Sequence, residues 1–184
     1  HDSVWSLLSD SQDRLWVGTD SGLNVFQRGT NSFTQFELQV NSEGNETGVY
    51  ALLEDEIGNI WIGTSLGLSR LSKDGQLINY QHDITDGNSL SRGRVRALHQ
   101  SSDGTIWVGT ELGGLNKLDP QTGRAIHFAH DPNSLNSLSD NYVRSIAEDD
   151  DGRLWIATFN GGVSIFYPKA EVWERINSSQ SEVY

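Results

Sequence analysis

The sequence predicts an all-β chain of four propeller blades, each a sheet of four antiparallel strands, and three observations predict it. Trp16, Trp61, Trp107 and Trp155 recur at intervals of 45, 46 and 48 residues. Each follows a valine by twelve positions: Val4, Val49, Val95 and Val143. Between these markers apolar residues alternate with polar ones over short runs broken by Gly, Asp and Asn, and no window carries the i, i+3, i+4, i+7 spacing of a helix. A repeat of this length with four strand signals is the signature of one blade.

Within each unit the valine opens a first strand, such as "VYALLED". A tight turn follows ("DEIGN", "DDDGR"), and then the tryptophan strand ("LWVGT", "IWIGT"). This is a hairpin pattern. A second turn ("DSG", "SLG", "ELGG", "FNGG") leads to a third strand ("LNVF", "LSRL", "LNKL", "VSIF"). A third turn ("KDGQ", "DPQTGR", "YPKAE") leads to a fourth strand, as in "FTQFEL" or "AIHFAH". The blades are predicted at about 1–45, 46–91, 92–139 and 140–182 of a single propeller segment, with residues 183–184 starting a further repeat. The first unit departs most: it has "SQDR" where the others carry a glycine turn, and its fourth strand ends in "NSEGNETG". A terminal repeat is the one expected to be atypical.

Side chains alternate along a strand, so Trp16 shares a face with Gly18, Trp61 with Gly63, Trp107 with Gly109 and Trp155 with Ala157. An indole can lie flat between stacked sheets only if the residue two positions on leaves room for the neighbouring blade. The W-[VI]-[GA]-T stretches are therefore expected to be blade core, and chemistry is sought elsewhere.

The chain has 184 residues, enough for one domain with a core. A net charge of −12 repels phosphate backbones and anionic headgroups, which argues against nucleic acid and against direct membrane contact. No apolar run is long enough to span a bilayer, and the first residues do not have the layout of a signal peptide. Cysteine is absent, which removes disulfides and thiolate metal sites.

The stretches "SRGRVRALHQSSDGTIWVGTELGGLNKLDPQTG" and "NYVRSIAEDDDGRLWIATFNGGVSIFYP" closely resemble two-component regulator propeller repeats. So do the "NSLS" segments at 88–91 and 136–139 and the "DPQTG" turn at 119–123. The resemblance covers almost the whole chain. It implies the extracytoplasmic, periplasmic sensing region of a hybrid histidine kinase or a membrane-bound diguanylate cyclase, with a small-molecule ligand such as an oligosaccharide. It also implies more blades than four, and Glu182-Val183-Tyr184 has the character of a fifth unit's opening. Exposed blade faces would be relieved by closure into a ring or by pairing with a second chain, a homo-oligomer.

If the valine strand is innermost, the loop entering it and the turn after the tryptophan strand share one rim. The residue after each valine then stands at that mouth: Trp5, Tyr50, Arg96 and Arg144, with Tyr184 next. Aromatic rings and guanidinium groups suit sugars and carboxylates. The turns after the tryptophans, Asp20-Ser21, Ser65-Leu66, Glu111-Leu112 and Phe159-Asn160, contribute to the same rim and add Asp20, Glu111 and Asn160 as ligand-binding candidates.

No catalytic residue, metal or cofactor is expected. His82 and His130 occupy matching places in "HDITDGNSL" and "HDPNSLNSL", which favours structural use in the following turn. The run Glu148-Asp149-Asp150-Asp151-Gly152 lacks the terminal glutamate of a calcium loop and reads as a solvated hairpin turn. Two alternatives to a sensor are a lyase-type propeller enzyme and a protein-interaction scaffold. The enzyme would need a rim histidine beside a glutamate, and His99, the one histidine on an inner strand, has no rim carboxylate that the sequence assigns to it.

Overall fold

The computed structural model describes residues 3–38 and 47–176. His1, residues 41–46 of the "NSEGNETG" stretch, and the Glu182-Val183-Tyr184 opening lie outside them. The chain divides into two compact units, His1–Gln81 and His82–Tyr184. Among the described residues all regular structure is β, in four four-stranded sheets whose strands run in sequence order across the sheet.

The first unit holds two blades. One is β1 (Val4–Ser9), β2 (Leu15–Thr19), β3 (Gly22–Gln27) and β4 (Ser32–Phe36). The other is β5 (Val49–Glu54), β6 (Ile60–Thr64), β7 (Gly67–Leu71) and β8 (Leu77–Tyr80). The second unit repeats the arrangement. Its first blade is β9 (Val95–Gln100), β10 (Ile106–Thr110), β11 (Leu115–Leu118) and β12 (Ala125–Phe128), and its second is β13 (Val143–Glu148), β14 (Leu154–Thr158), β15 (Val163–Tyr167) and β16 (Val172–Ile176). In each unit the valine strands of the two blades lie against each other, β1 on β5 and β9 on β13.

The turn joining the first two strands needs a left-handed residue, and Gly58, Gly104 and Gly152 supply it at φ of 82°, 83° and 76°. In the first blade Asp13 takes that place at φ 62°, a conformation Asp tolerates better than most side chains. This is how "SQDR" makes the same turn without glycine.

The seam between blades follows the predicted logic and adds a partner to it. Gly18 faces Val49 of the next blade, where a Cβ would fall 2.7 Å from the Val49 Cγ1 and 2.9 Å from its carbonyl oxygen. Gly109 faces Val143 in the same way, with 2.9 Å to the Val143 Cβ. The small residue beside the tryptophan is thus the seat of the next blade's valine. Trp16 with Val49, and Trp107 with Val143, belong to continuous apolar clusters that cross from one blade to the next.

A second device holds the indoles. Trp16, Trp61 and Trp155 donate their Nε1–H to Asp10, Asp55 and Asp149, at 2.8, 2.8 and 2.7 Å, and Trp107 donates to Ser101 Oγ at 2.9 Å. The acceptor always stands six residues earlier, in the hairpin turn, where it also accepts a backbone N–H in the three aspartate cases. Asp149 of the acidic run at 148–151 therefore serves the turn and its tryptophan.

One tryptophan departs from the expected core. Trp107 is 1% exposed but Trp155 is 37% exposed. The two stretches are almost identical in sequence, and the difference lies in what covers them. The face of β10 carries β13 against it, whereas no later sheet follows β14's blade among the described residues.

The "NSLS" loops are anchored by their last serine. Ser91 accepts from Asn116 Nδ2 (2.8 Å) while its own N–H donates to Asn116 Oδ1 (2.9 Å). Ser139 repeats this with Ser164, its N–H donating to Ser164 Oγ at 3.0 Å. His82 and His130 donate through Nδ1 to the carbonyls of Leu90 and Leu138, at 3.0 and 2.8 Å, the structural use that their equivalent positions imply.

Candidate functional site

The rim is built within each blade by backbone hydrogen bonds. Ser65 N–H donates to the Gly48 carbonyl at 3.0 Å, Glu111 to Arg94 at 2.9 Å and Phe159 to Tyr142 at 2.9 Å. Each bond ties the turn after a tryptophan strand to the residue just before a valine. Beneath them Thr19, Thr64, Thr110 and Thr158 donate their hydroxyls to the carbonyls of Gly22, Gly67, Gly114 and Gly162 and hold the turn closed.

At this rim every valine strand carries a β-bulge. Val4 pairs with Thr19 and Ser6 with Gly18, so Trp5 is the extra residue. The same shift isolates Tyr50 between Val49 and Ala51, Arg96 between Val95 and Ala97, and Arg144 between Val143 and Ser145. A bulge frees its residue from the alternation of the strand and re-aims its side chain. The four residues after the valines therefore share a backbone position, and sequence alternation alone does not say where they point.

In the first unit the rim brings three candidates together. Trp5 is 52% exposed, donates its indole N–H to Asp20 Oδ1 at 2.6 Å, and lies 5.8 Å from the Tyr50 ring at 60°. In the second unit Glu111 stands between two guanidinium groups, 3.7 Å from Arg94 and 3.6 Å from Arg96. Arg96 lies 6.0 Å from the Tyr142 ring centroid. Tyr142 stacks on Phe159 at 5.0 Å and 19°. The Arg144 guanidinium sits over both rings, 5.6 Å from Tyr142 and 5.0 Å from Phe159. Asn160 is exposed on the same turn as Phe159.

Two members of this second cluster, Arg94 and Tyr142, are absent from the sequence reading of the rim, whereas Phe159 lies in a turn that reading assigns to it. Arg94 and Tyr142 occupy the place just before the valine, and Phe159 the place just after the threonine. These positions are readable from the repeat once the hydrogen bond joining them is known.

At the other end of the valine strands a different cluster holds neighbouring blades together. Glu54 accepts from the N–H (2.7 Å) and hydroxyl (2.5 Å) of Ser11, and Glu148 accepts from the N–H (3.2 Å) and hydroxyl (2.8 Å) of Ser102. Glu148 also accepts from His99 Nε2 at 3.2 Å. His99 thus has a carboxylate partner that the sequence does not assign. Burial pushes Glu148 toward the neutral acid, but hydrogen bonds from Ser101, Ser102 and His99 outweigh it and hold the carboxyl below its ordinary range. Among the described residues no three His, Cys, Asp or Glu side chains gather as a metal would need.

Comparison with known proteins places these features in a family. The model of the two-component regulator propeller repeat matches residues 1–21, 43–65, 89–111 and 137–160. No curated protein matches the sequence. Among solved structures, the extracellular domain of one hybrid two-component system of B. thetaiotaomicron is 25% identical with a TM-score of 0.77, over 88% of this chain and 21% of that one. A second from the same organism is 32% identical with a TM-score of 0.75, over 97% of this chain and 23% of that one. The chain thus spans about a fifth of the length of these domains. A gluconolactonase of Xanthomonas campestris, 17% identical with a TM-score of 0.64 over 95% of this chain and 62% of that one, shares the fold.

Proposed function

The chain belongs to the two-component regulator propeller family, and from that premise we propose that it is a ligand-sensing segment of the extracytoplasmic part of a bacterial signalling receptor. Its ligand in this reading is a small molecule such as an oligosaccharide, held at the rim. Two of the structures it resembles are extracellular domains of hybrid two-component systems. The observation that carries the binding reading is the bulge at each valine strand. It puts Trp5, Tyr50, Arg96 and Arg144 at the equivalent backbone position of their own blades while the packing beneath them is copied. Aromatic and guanidinium groups on a fixed frame are suited to recognition, and binding residues concentrate on loops set by rigid scaffolds.

An enzymatic reading would draw on an acid–base pair at the rim. The histidine–glutamate pair of this chain, His99 and Glu148, is at the far end of the valine strands and is occupied in joining two blades. That position supports a binding module over a catalyst. Titration of the protein with oligosaccharide fractions tests the reading, followed by intrinsic fluorescence, since Trp5 is exposed at the rim. The expected result is a saturable change that Trp5→Ala and Tyr50→Ala weaken in the first unit and Arg96→Ala and Arg144→Ala weaken in the second. Binding unaffected by all four substitutions would overturn the rim assignment.

A further inference from the structure

Resting on the sensing reading above, we infer that the rim of the second unit takes a saccharide bearing a carboxylate, with Arg144 as the carboxylate contact and the Tyr142–Phe159 pair as the shelf for the sugar ring.

The argument begins with charge. The chain carries −12 overall, with 13 Lys and Arg against 25 Asp and Glu. Yet one short rim segment, "SRGRVR", holds Arg92, Arg94 and Arg96, and the next blade adds Arg144. The nearby carboxylates are engaged. Glu111 lies between Arg94 and Arg96, and Asp140 accepts the Tyr142 N–H at 2.6 Å. Arg144 makes no ion pair among the described residues, and its guanidinium rests on two aromatic faces. Such a group is held in place and desolvated on one side while its donor fork stays open to an anion. A planar fork matches a carboxylate in two parallel hydrogen bonds.

The second half of the argument is the shelf. Phe159 is 55% exposed and is stacked on Tyr142 nearly parallel. An exposed flat aromatic surface beside a fixed cation suits a ligand with one apolar face and one acidic group, which describes a uronic acid ring. A polyanion such as nucleic acid fits poorly, because outside this rim the chain's excess of carboxylates repels extended negative charge. In the first unit the equivalent rim pairs Trp5 with the carboxylate of Asp20, so an acidic sugar is directed to the second unit.

The test is calorimetric titration of the whole chain with aldotriouronic acid, trigalacturonic acid and a hyaluronan tetrasaccharide, each alongside its methyl ester as the neutral twin. At least one acid should bind about tenfold more tightly than its ester, the size of one charge-assisted contact. Arg144→Gln should bring that acid down to the ester's affinity and leave the ester unchanged, Arg144→Lys should restore part of the difference, and Phe159→Ala should weaken both forms alike. Arg144 is exposed, and an unchanged melting temperature of its variants checks their fold. Acids and esters binding equally, or neutral sugars alone binding, would overturn the carboxylate contact and leave the sensing reading standing. No binding by any saccharide, charged or neutral, would overturn both.

Discussion

In the first unit Gly18 seats Val49 and Glu54 reaches back to Ser11; in the second Gly109 seats Val143 and Glu148 reaches back to Ser102. The same two contacts recur at the same places. At the rim the two units diverge. One brings together Trp5, Asp20 and Tyr50, the other Arg94, Arg96, Glu111, Tyr142, Arg144 and Phe159. The difference follows from what each place must satisfy. A seam between sheets has one steric solution, an indole, a residue without bulk, and a valine to fill the gap, and departures cost packing energy. A bulged residue at the rim is outside the ladder and seats no neighbouring blade, so its side chain can differ from blade to blade without cost to the seam.

The largest expected effects sharpen this comparison at the seam. Trp16→Ala and Trp107→Ala should each cost about 3–5 kcal/mol, as a large side chain removed from a closed core. Trp155→Ala should cost clearly less, about 1–2 kcal/mol, because its ring is already part exposed and little cavity forms. Gly109→Val, which drives a branched side chain into Val143, should cost at least about 1–3 kcal/mol by overpacking. Urea denaturation of the four variants reads all of these. Equal losses for Trp107 and Trp155 would break the claim that the covering blade, and not the local sequence, creates the core.

That claim also explains what the sequence could and could not disclose. The fold was legible because its determinants are periodic: twelve residues from valine to tryptophan, two more to a small residue, and a turn between. The indole caps were equally periodic, with Asp10, Asp55 and Asp149 six residues before their tryptophans. The pattern is blurred only by Ser101, which makes the same bond without a charge. The exposure of Trp155 was not legible, since "LWIAT" and "IWVGT" carry the same local signal and the covering sheet is supplied from elsewhere in the chain. The aim of the rim side chains was hidden too, because a bulge cancels the alternation from which facing is read. The partner of His99 lies 49 residues away and becomes predictable only after the blades are stacked.

The clasp gives an intermediate effect. Glu148→Ala would leave the Ser102 N–H and His99 without their acceptor, and should cost about 1–3 kcal/mol. Glu54→Ala, which strands Ser11 alone, should cost about 1 kcal/mol. The position of His99, in the first blade of the second unit, is held by Leu8 in the first blade of the first. If the histidine accounts for the gap, Glu148→Ala made in a His99→Leu background should cost no more than Glu54→Ala does. A gap that persists in that background would place the difference in the serine contacts instead.

The smallest effect is one of pH. The Trp155 indole N–H holds Asp149 as a carboxylate; burial opposes this, and the Arg153 N–H and guanidinium assist, so the group titrates down at about 2 against an ordinary 3.8. A carboxyl depressed in the folded state stabilises the fold above its unfolded value and loses that contribution as pH falls through the folded one. The contribution of Asp149 is therefore complete above pH 3.8 and disappears as the pH approaches about 2. Asp149→Asn removes the titration, so the melting-temperature gap between wild type and this variant should be constant at pH 5 and above and narrow between 3.8 and about 2. A gap that stays constant down to about pH 2 would show that the Asp149 cap acts through geometry alone and that its charge contributes nothing to holding the indole.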